Sequence, residues 1–209
     1  MKKLDLQRCV LGMVSTNCYF VKNTETGELF LVDPADNAEA IDRKIKEMGG
    51  TLTAILLTHG HYDHILAANE VKEAYHVPIY ACAKETALLQ DSGMNLSGYC
   101  HRACSIQPDV CLVDLEVFET AGFSIQVIHT PGHTPGSCCY YLEAEGVLFS
   151  GDTLFCRSVG RTDLPGGSSG EIIESLHRLL NSLPEETEVY PGHDIATNIL
   201  YEKRYNPFV

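Results

Sequence analysis

Short apolar runs that each end in a polar loop recur along this 209-residue chain. They cover residues 29–32, 52–57, 123–128, 147–149 and 189–190. The loops that follow them are rich in Gly, Pro, Asp and His, and such runs, bounded by turn residues, are typical of β-strands. Several runs are apolar enough to be buried on both faces. The pattern predicts a sheet-based core with polar loops at the strand ends.

Helical patterns lie between these strands and predict an α/β or α+β layered domain. In residues 36–48 the apolar positions have helical spacing, and two glycines follow them. A second helix is predicted from Asp63 to about Tyr75, and a third begins with a capping box formed by Ser168 and Glu171. Residues 91–112 have no clear period and are predicted to form a long surface loop that covers a site. We expect residues 1–209 to form a single domain.

The composition is that of a globular protein with an acidic surface. Apolar residues make up 44% and charged residues 21%, and 28 Asp and Glu against 15 Lys and Arg give a net charge of −13. Such a surface repels phosphate backbones and anionic lipid, and no apolar run approaches the roughly 18 residues of a membrane span. Asp5 and Arg8 interrupt any apolar export signal at the amino terminus. We therefore expect a cytoplasmic protein that binds neither nucleic acid nor membranes.

The sequence Thr-His-Gly-His-Tyr-Asp-His at residues 58–64 contains four potential metal ligands. On a continuing strand His59 and His61 would share one face and His64 would point away. On a loop that leaves a buried strand and enters a helix, these three and Asp63 can converge, and Gly60 gives the backbone the necessary freedom. Imidazole and carboxylate are ligands that zinc and its first-row neighbours take. The run predicts a metal site at a strand end.

Three further potential ligands also follow strands: His133, Asp152 and His193. Because sites in open α/β sheets form beyond the carboxyl ends of strands, we expect these residues to join the first four. Seven ligands exceed what one tetrahedral ion takes, and they suit two ions that share a bridging carboxylate. The other histidines are expected to be hydrogen-bonded turn or surface residues; they are His76, His101, His129 and His177.

The seven candidate ligands, in this order, resemble the motif of the metallo-β-lactamase superfamily, over about residues 17–193. The resemblance implies a four-layer αββα sandwich with two divalent ions at one edge of the sheets. Zinc is the expected metal, and iron or manganese are the alternatives. The implied ligands are His59, His61 and His133 for the first ion, Asp63, His64 and His193 for the second, and Asp152 as the bridge.

Residues 151–155 (Gly-Asp-Thr-Leu-Phe) and 160–163 (Gly-Arg-Thr-Asp) resemble the glyoxalase II-like branch, the hydroxyacylglutathione hydrolases, especially its short bacterial members. In that branch a basic residue at the place of Arg161 contacts the glycine carboxylate of glutathione, a contact that suits an arginine. A local ion pair with Asp163 is the alternative for Arg161. The resemblance implies a small thioester substrate, possibly linked to glutathione.

Charge arithmetic supports hydrolysis at such a centre. Two divalent ions, the carboxylates of Asp63 and Asp152 and one hydroxide leave a net charge of about +1, which favours hydroxide near neutral pH and stabilises an oxyanion. The expected reaction is attack of a metal-bridging hydroxide on the thioester carbonyl. We expect both carboxylates to be catalytic: Asp63 would orient the attacking water or accept its proton, and Asp152 would hold both ions.

Other substrates and reactions stay open. The residues after His193 are too few for the carboxy-terminal helical region of full-length glyoxalase II enzymes, and the tyrosine those enzymes place shortly after the last metal histidine is missing. Another small ester or thioester is therefore an alternative. An iron-dependent persulfide dioxygenase of the same fold is a second, using His59, His133 and Asp152 on one iron. A secreted β-lactamase and a nuclease fit the chain less well, and a non-enzymatic metal-binding or redox-sensing module is the alternative outside catalysis.

The nine cysteines have irregular spacings and do not predict a disulfide framework. Cys138 and Cys139 are adjacent on a predicted strand and should point to opposite faces. The segment around Cys100 and Cys104 is an alternative metal or redox site, although its spacing is not that of a zinc site.

Overall fold

The computed structural model describes residues 3–100 and 102–209, which form two six-stranded β-sheets and a short hairpin. The first sheet has the order β1 (Leu4–Leu11), β2 (Thr16–Asn23), β3 (Glu28–Val32), β4 (Thr51–Leu56), β5 (Ile79–Cys82) and β6 (Val110–Leu112). The second contains β7 (Val117–Thr120), β8 (Phe123–His129), β9 (Cys138–Leu142), β10 (Val147–Gly151), β13 (Glu188–Pro191) and β14 (Thr197–Asn198), in the order β14-β13-β10-β9-β8-β7. The hairpin strands are β11 (Leu154–Phe155) and β12 (Ser158–Val159). His101, which we predicted to be structural, lies outside the described residues.

Six α-helices lie within the described residues. They are α1 (Ala38–Met48), α2 (Tyr62–Ile65), α3 (Ala68–Tyr75), α4 (Thr86–Gln90), α5 (Ser169–Ser182) and α6 (Ile199–Tyr205). The predicted capping box is present at the start of α5, where the Ser168 side chain accepts a hydrogen bond from the Glu171 amide. None of these helices has the length and apolar character needed to cross a membrane.

The prediction of one helix from Asp63 to Tyr75 is wrong, because the segment forms two helices. At the break, the amide of Ala67 donates to the carbonyl of Pro34 (3.1 Å), so a contact from a distant loop interrupts the helical pattern. The prediction of an irregular loop over residues 91–112 is also partly wrong. A 3₁₀ turn forms at Ser97–Cys100, and β6 pairs in parallel with β5 at the end of the segment.

All five predicted strand runs are strands, and within each sheet they end at the same edge. In the first sheet β3 and β4 are parallel. In the second, β10 is parallel to β13, and β8 and β10 are both antiparallel to β9. The loops that follow β8, β10 and β13 therefore leave the same edge of the second sheet. This topology brings together residues that are far apart in the chain.

Alternation along the strands builds three apolar layers. In β2, Cys18 and Phe20 pack on the side of α1 and α3, whereas Tyr19 and Val21 pack between the two sheets. The outer face of the second sheet packs against α5 through a cluster that includes Leu176. The order helix, sheet, sheet, helix confirms the predicted αββα sandwich.

The adjacent cysteines in β9 follow the same alternation. Cys138 belongs to the apolar layer between the sheets, and Cys139 belongs to the layer under α5. The prediction that they point to opposite faces is confirmed. The described cysteines are all free thiols.

Candidate metal centre

The loop after β4 and the short helix α2 that follows it carry four of the candidate ligands, with His59 and His61 in the loop and Asp63 and His64 in the helix. The strand ends at Leu56, and the first residue of α2 is Tyr62, so the loop leaves a buried strand and enters a helix as predicted. The amide of Cys138 donates to the carbonyl of Thr58 (2.9 Å) and joins this loop to the second sheet. The loop is thereby held against the strand ends that carry the other three candidates.

One group of side chains consists of His59, His61 and His133. All three are buried, and one potential ligand atom from each lies within 4.8 Å of the others. His61 Nδ1 and His133 Nε2 are 2.8 Å apart. The group combines a loop of the first sheet with a loop of the second, and three imidazoles at this separation could hold one metal ion.

A second group consists of Asp63, His64 and His193. The Oδ2 atom of Asp63 lies 3.3 Å from His193 Nε2 and 3.4 Å from His64 Nε2. Its other neighbour is the hydroxyl of Thr16, which donates to the same oxygen at 3.0 Å. A carboxylate and two imidazoles in this arrangement could hold a second ion.

Asp152 lies between the two groups. Its Oδ1 is 3.4 Å from His64 Nε2, and its Oδ2 is 3.5 Å from both His133 Nε2 and His193 Nε2. One carboxylate therefore reaches histidines of both groups, which is the arrangement expected of a bridge. The structure brings all seven candidates into one cluster, whereas His76 caps α3, His177 is exposed and His129 bonds the Pro135 carbonyl.

Asp33 fixes the ring orientation of two histidines. This buried carboxylate accepts hydrogen bonds from the Thr58 amide (2.8 Å) and the Thr58 hydroxyl (2.7 Å), and it lies 2.9 Å from His64 Nδ1. A carboxylate accepts only, so Nδ1 of His64 carries the proton. Since the Thr58 hydroxyl donates to Asp33, it can only accept from His59 Nδ1 at 3.1 Å. In both rings Nδ1 is engaged, so Nε2 is the nitrogen that faces the cluster and could bind a metal.

His133 is oriented in the same way by a backbone group. Its Nδ1 lies 2.8 Å from the carbonyl oxygen of Arg161, so Nδ1 donates, and Nε2 faces the cluster, where it lies 2.8 Å from His61 Nδ1. Three rings are thus held in the tautomer that a metal ligand needs.

Several buried polar atoms of the cluster have no hydrogen-bond partner. They are His59 Nε2, His61 Nε2, His64 Nε2 and Asp152 Oδ1. Each unsatisfied buried group costs about 1–3 kcal/mol, so four in one place would be a heavy penalty for a merely structural cluster. A bound cation removes this penalty for the atoms that coordinate it, and imidazole and carboxylate donors fit divalent zinc, iron or manganese.

The rings of His59 and His61 are held neutral. Burial lowers the pKa of His59, and the neighbouring His64 and His133 lower it further. Burial and the adjacent His133 also lower the pKa of His61, to about 3. A neutral imidazole is the form that binds metals, so no proton has to be removed from these rings near neutral pH.

The carboxylates in and around the second group stabilise positive charge there. Burial alone would raise the pKa of Asp63, but His64 and His193 outweigh it and hold the pKa well below its ordinary value. Burial alone would lower the pKa of His64, but Asp63, Asp152 and Asp33 raise it to about 10. The electrostatics of this group therefore suit a cation.

A buried glutamate connects two of the ligand loops. Glu85 follows β5, and its oxygens accept hydrogen bonds from the amides of Gly60 and Gly136, both at 2.8 Å. Burial raises its pKa to about 7, against the lowering effect of those two amides and of Thr134. Sequence reasoning missed Glu85 and Asp33. Asp33 had a signal, because it follows the predicted strand at residues 29–32, whereas Glu85 had none.

A cavity of about 450 Å³ opens onto the cluster. It is lined by Val14, His61, Tyr62, Asp63, Leu96, Tyr99, Cys100, His133, Asp152, Arg161, Leu164 and His193. Three of these belong to the segment at 91–112, so that segment does line the site as predicted. Among the described residues, no group of three potential ligands includes Cys100 or Cys104.

Comparison with known proteins places the chain in a family. The sequence profile of the metallo-beta-lactamase superfamily matches residues 11–193. The chain belongs to the metallo-β-lactamase superfamily. It is 37% identical over 205 residues to the "Probable metallo-hydrolase YqgX" of Bacillus subtilis (strain 168), covering 97% of this chain and 96% of that protein.

Two solved structures show how far this metallo-β-lactamase fold is shared. The BLEG-1 B3 metallo-beta-lactamase superposes with a TM-score of 0.92 at 39% identity, over 98% of this chain and 99% of that one. TTHA1623 in a di-iron-bound form superposes with a TM-score of 0.87 at 35% identity, over 97% of this chain and 100% of that one. The predicted superfamily, fold and general activity are confirmed: the chain is a metallo-hydrolase of this superfamily. The glyoxalase II-like branch and the zinc identity stay predictions.

Proposed function

We propose that this metallo-hydrolase cleaves a small thioester, and that a hydroxyacylglutathione is the substrate its motifs favour. His59, His61 and His133 would hold one of two divalent ions, with zinc expected, and Asp63, His64 and His193 would hold the other. Asp152 would bridge them. The observation that carries the proposal is that His59, His61 and His64 each have a buried Nε2 without a hydrogen-bond partner, whereas Nδ1 of each ring has one.

The residues around the ions have separate tasks. When bound, two divalent ions would lower the pKa of a water held at the centre and polarise a substrate carbonyl. Asp63 lines the cavity and stays ionised, so it can accept a hydrogen bond from the attacking water and orient it. Thr16 fixes the rotamer of Asp63 through the hydrogen bond to Oδ2. Asp152 holds both halves of the centre together.

The cavity walls fit a substrate with apolar and polar parts. Val14, Leu96, Tyr99 and Leu164 supply apolar surface, and Arg161 is the cation among the described lining residues. We propose Arg161 as the residue that binds a substrate carboxylate. Arg161 forms a bidentate ion pair with Asp163, in which Nε donates to Oδ1 at 2.7 Å and Nη2 donates to Oδ2 at 2.8 Å. Both side chains are exposed. Exposed pairs contribute about 0–1 kcal/mol, so a carboxylate can compete for Arg161 at small cost.

We also propose that residues 1–209 act as one domain in the cytoplasm, with a small molecule as the substrate and neither nucleic acid nor a membrane as a partner. The acidic composition supports this choice of partner.

The first test measures the metal content of the purified protein and then its turnover of S-D-lactoylglutathione after loading with zinc. We expect about two ions per chain and kcat/KM above about 10⁴ M⁻¹s⁻¹, a value within the range of natural substrates. His61→Ala and Asp152→Ala should lose metal and turnover, whereas His177→Ala, an exposed histidine outside the cluster, should keep both. Near-normal turnover in either cluster variant would contradict the ligand assignment.

A matched pair of substrates tests Arg161. Arg161→Gln should raise KM for lactoylglutathione and leave KM unchanged for the lactoyl thioester of N-acetylcysteamine, which has the same acyl group and no carboxylate. An equal change for both thioesters would exclude carboxylate binding by Arg161.

Iron-dependent oxygenation of a persulfide is a second candidate function. It is supported by the similarity to TTHA1623, a protein solved in a di-iron-bound form, because that protein binds iron. The same preparation loaded with Fe²⁺ and given glutathione persulfide should consume no oxygen if the hydrolase proposal is right. Because a solved B3 metallo-beta-lactamase is 39% identical, a β-lactam belongs in the same panel. Turnover of the lactam, or oxygen uptake, without thioester hydrolysis would overturn the proposed substrate.

A further inference from the structure

Glu85 is a buried carboxylate with no cation to pair with. Glu85 is 1% exposed. Among the described residues, no Lys, Arg or His lies within ion-pair distance of its carboxylate. Burying an ionisable group in this way is costly unless its oxygens are hydrogen-bonded. The position therefore needs an explanation beyond packing.

The two partners of Glu85 lie on two different ligand loops. Gly60 stands between His59 and His61, and its amide donates to Oε1 of Glu85. Gly136 stands three residues after His133, and its amide donates to Oε2. Each oxygen thus holds one loop, and both bonds are buried.

The packing around these glycines leaves little freedom for either loop. A Cβ on Gly136 would lie 2.2 Å from the backbone nitrogen of Glu85, and a Cβ on Gly60 would lie 2.7 Å from the Leu88 side chain. The loop at Gly136 thus lies against the backbone of Glu85, and the loop at Gly60 lies against the α4 side chains that follow it. The carboxylate links these two segments, which come from different sheets.

We propose that Glu85 is a positioning residue for the three-histidine group, holding His59 and His61 at the separation from His133 that one metal ion requires. This inference rests on the proposed metal-dependent function. Without the carboxylate, two buried amides lose their acceptor and the two loops lose their common attachment. Metal binding by the three histidines then has to supply the energy that orders the loops.

The test compares Glu85→Gln with Glu202→Gln. Gln keeps the shape of Glu85 but turns an amide donor toward one of the two backbone donors, so one loop loses its acceptor. Glu202 is the matched control because it is also fully buried and accepts a backbone amide, that of Arg157 (2.8 Å), outside the ligand cluster. Both variants should lose some thermal stability.

Metal affinity and the visible spectrum of the Co²⁺-substituted protein separate positioning from stability. We expect Glu85→Gln to bind one of two zinc ions about 10–100-fold more weakly, as is usual when support of a ligand is lost, and to show an altered Co²⁺ spectrum. Glu202→Gln should match the unmodified protein in both. Glu85→Asp keeps the charge but is too short to reach both amides, so it should also weaken binding if the Gln variant does not fold.

Unchanged zinc affinity and an unchanged Co²⁺ spectrum in the folded Glu85 variant would overturn the inference, whatever happens to its stability. The proposed function is tested separately, by metal binding to the unmodified protein. If that protein binds no metal, the proposed function fails and this inference fails with it. If it binds two ions and the variant binds both with unchanged affinity, only the inference fails.

Discussion

At the residue scale, Gly192 packs directly against the candidate ligands. A Cβ at this position would lie 2.2 Å from Asp152 Oδ1 and 2.7 Å from His64 Cε1. Its amide donates to the Gly151 carbonyl (2.8 Å), and its carbonyl accepts from Asn17 (2.7 Å), so the backbone is held in place from both sides. The absence of a side chain here leaves the space in which the bridging carboxylate and His64 meet.

We expect Gly192→Ala to weaken metal binding by about 10–100-fold, because the new methyl group must displace Asp152 or His64. Zinc titration against a chromophoric chelator measures this. Gly170→Ala is the control: no atom lies within 4 Å of its added Cβ, and alanine in α5 should stabilise the helix by up to about 1 kcal/mol. If Gly192→Ala bound zinc with the same affinity as the unmodified protein, Asp152 and His64 would not be constrained as described.

At the scale of the elements, Asp109 ties α3 to the start of β5. Its carboxylate accepts from the Ile79 amide (2.8 Å) and pairs with Lys72 (2.7 Å), and its own amide donates to the Ile79 carbonyl (2.8 Å). Burial opposes ionisation of Asp109, but the Ile79 amide and Lys72 outweigh it and keep the pKa below its ordinary value. The carboxylate form is therefore stabilised in the folded protein.

The depressed pKa predicts an acid-dependent contribution to stability. It is fully present above the unfolded-state pKa of about 4 and is lost as the pH falls through the lower folded-state value. We expect Asp109→Asn to lower the free energy of unfolding by less than about 1 kcal/mol at pH 7, since the pair is partly exposed. Urea unfolding from pH 7 to pH 3 should show this difference shrinking; a difference that is constant with pH would exclude the mechanism.

At the scale of the whole molecule, the metal centre joins the two sheets. Four candidate ligands lie in the loop after β4 and in α2, beside the first sheet, and three follow β8, β10 and β13 of the second. Ions held by both sets would cross-link the halves of the sandwich in the folded state and would have no preformed site in the unfolded chain. Metal binding and folding are therefore coupled.

Removal of the metal should lower the stability of the whole protein. Binding to the folded state alone, at a free metal concentration about 1,000 times Kd, contributes about 4 kcal/mol, so a chelator should lower Tm by several degrees. Calorimetry with and without chelator measures the shift, and Asp152→Ala should show a much smaller one. An equal shift in that variant would mean that the metal binds elsewhere.

The sequence by itself determined the elements whose pattern is local. Buried strand runs, the helix at 38–48 and the capped helix at Ser168 are visible because apolar period and capping chemistry involve residues close in the chain. The seven candidate ligands were visible for the same reason, since each stands directly after such a run. The superfamily and its fold followed from their order.

Only the tertiary structure decided which groups support those ligands. Asp33 and Glu85 each lie 25 residues from the loop residues they bond, and Glu85 reaches Gly136 across 51 residues. The break between α2 and α3 likewise depends on the Pro34 carbonyl. Such contacts exist only after the strands have paired and the layers have packed. No periodicity in the sequence indicates which buried donor will meet which acceptor.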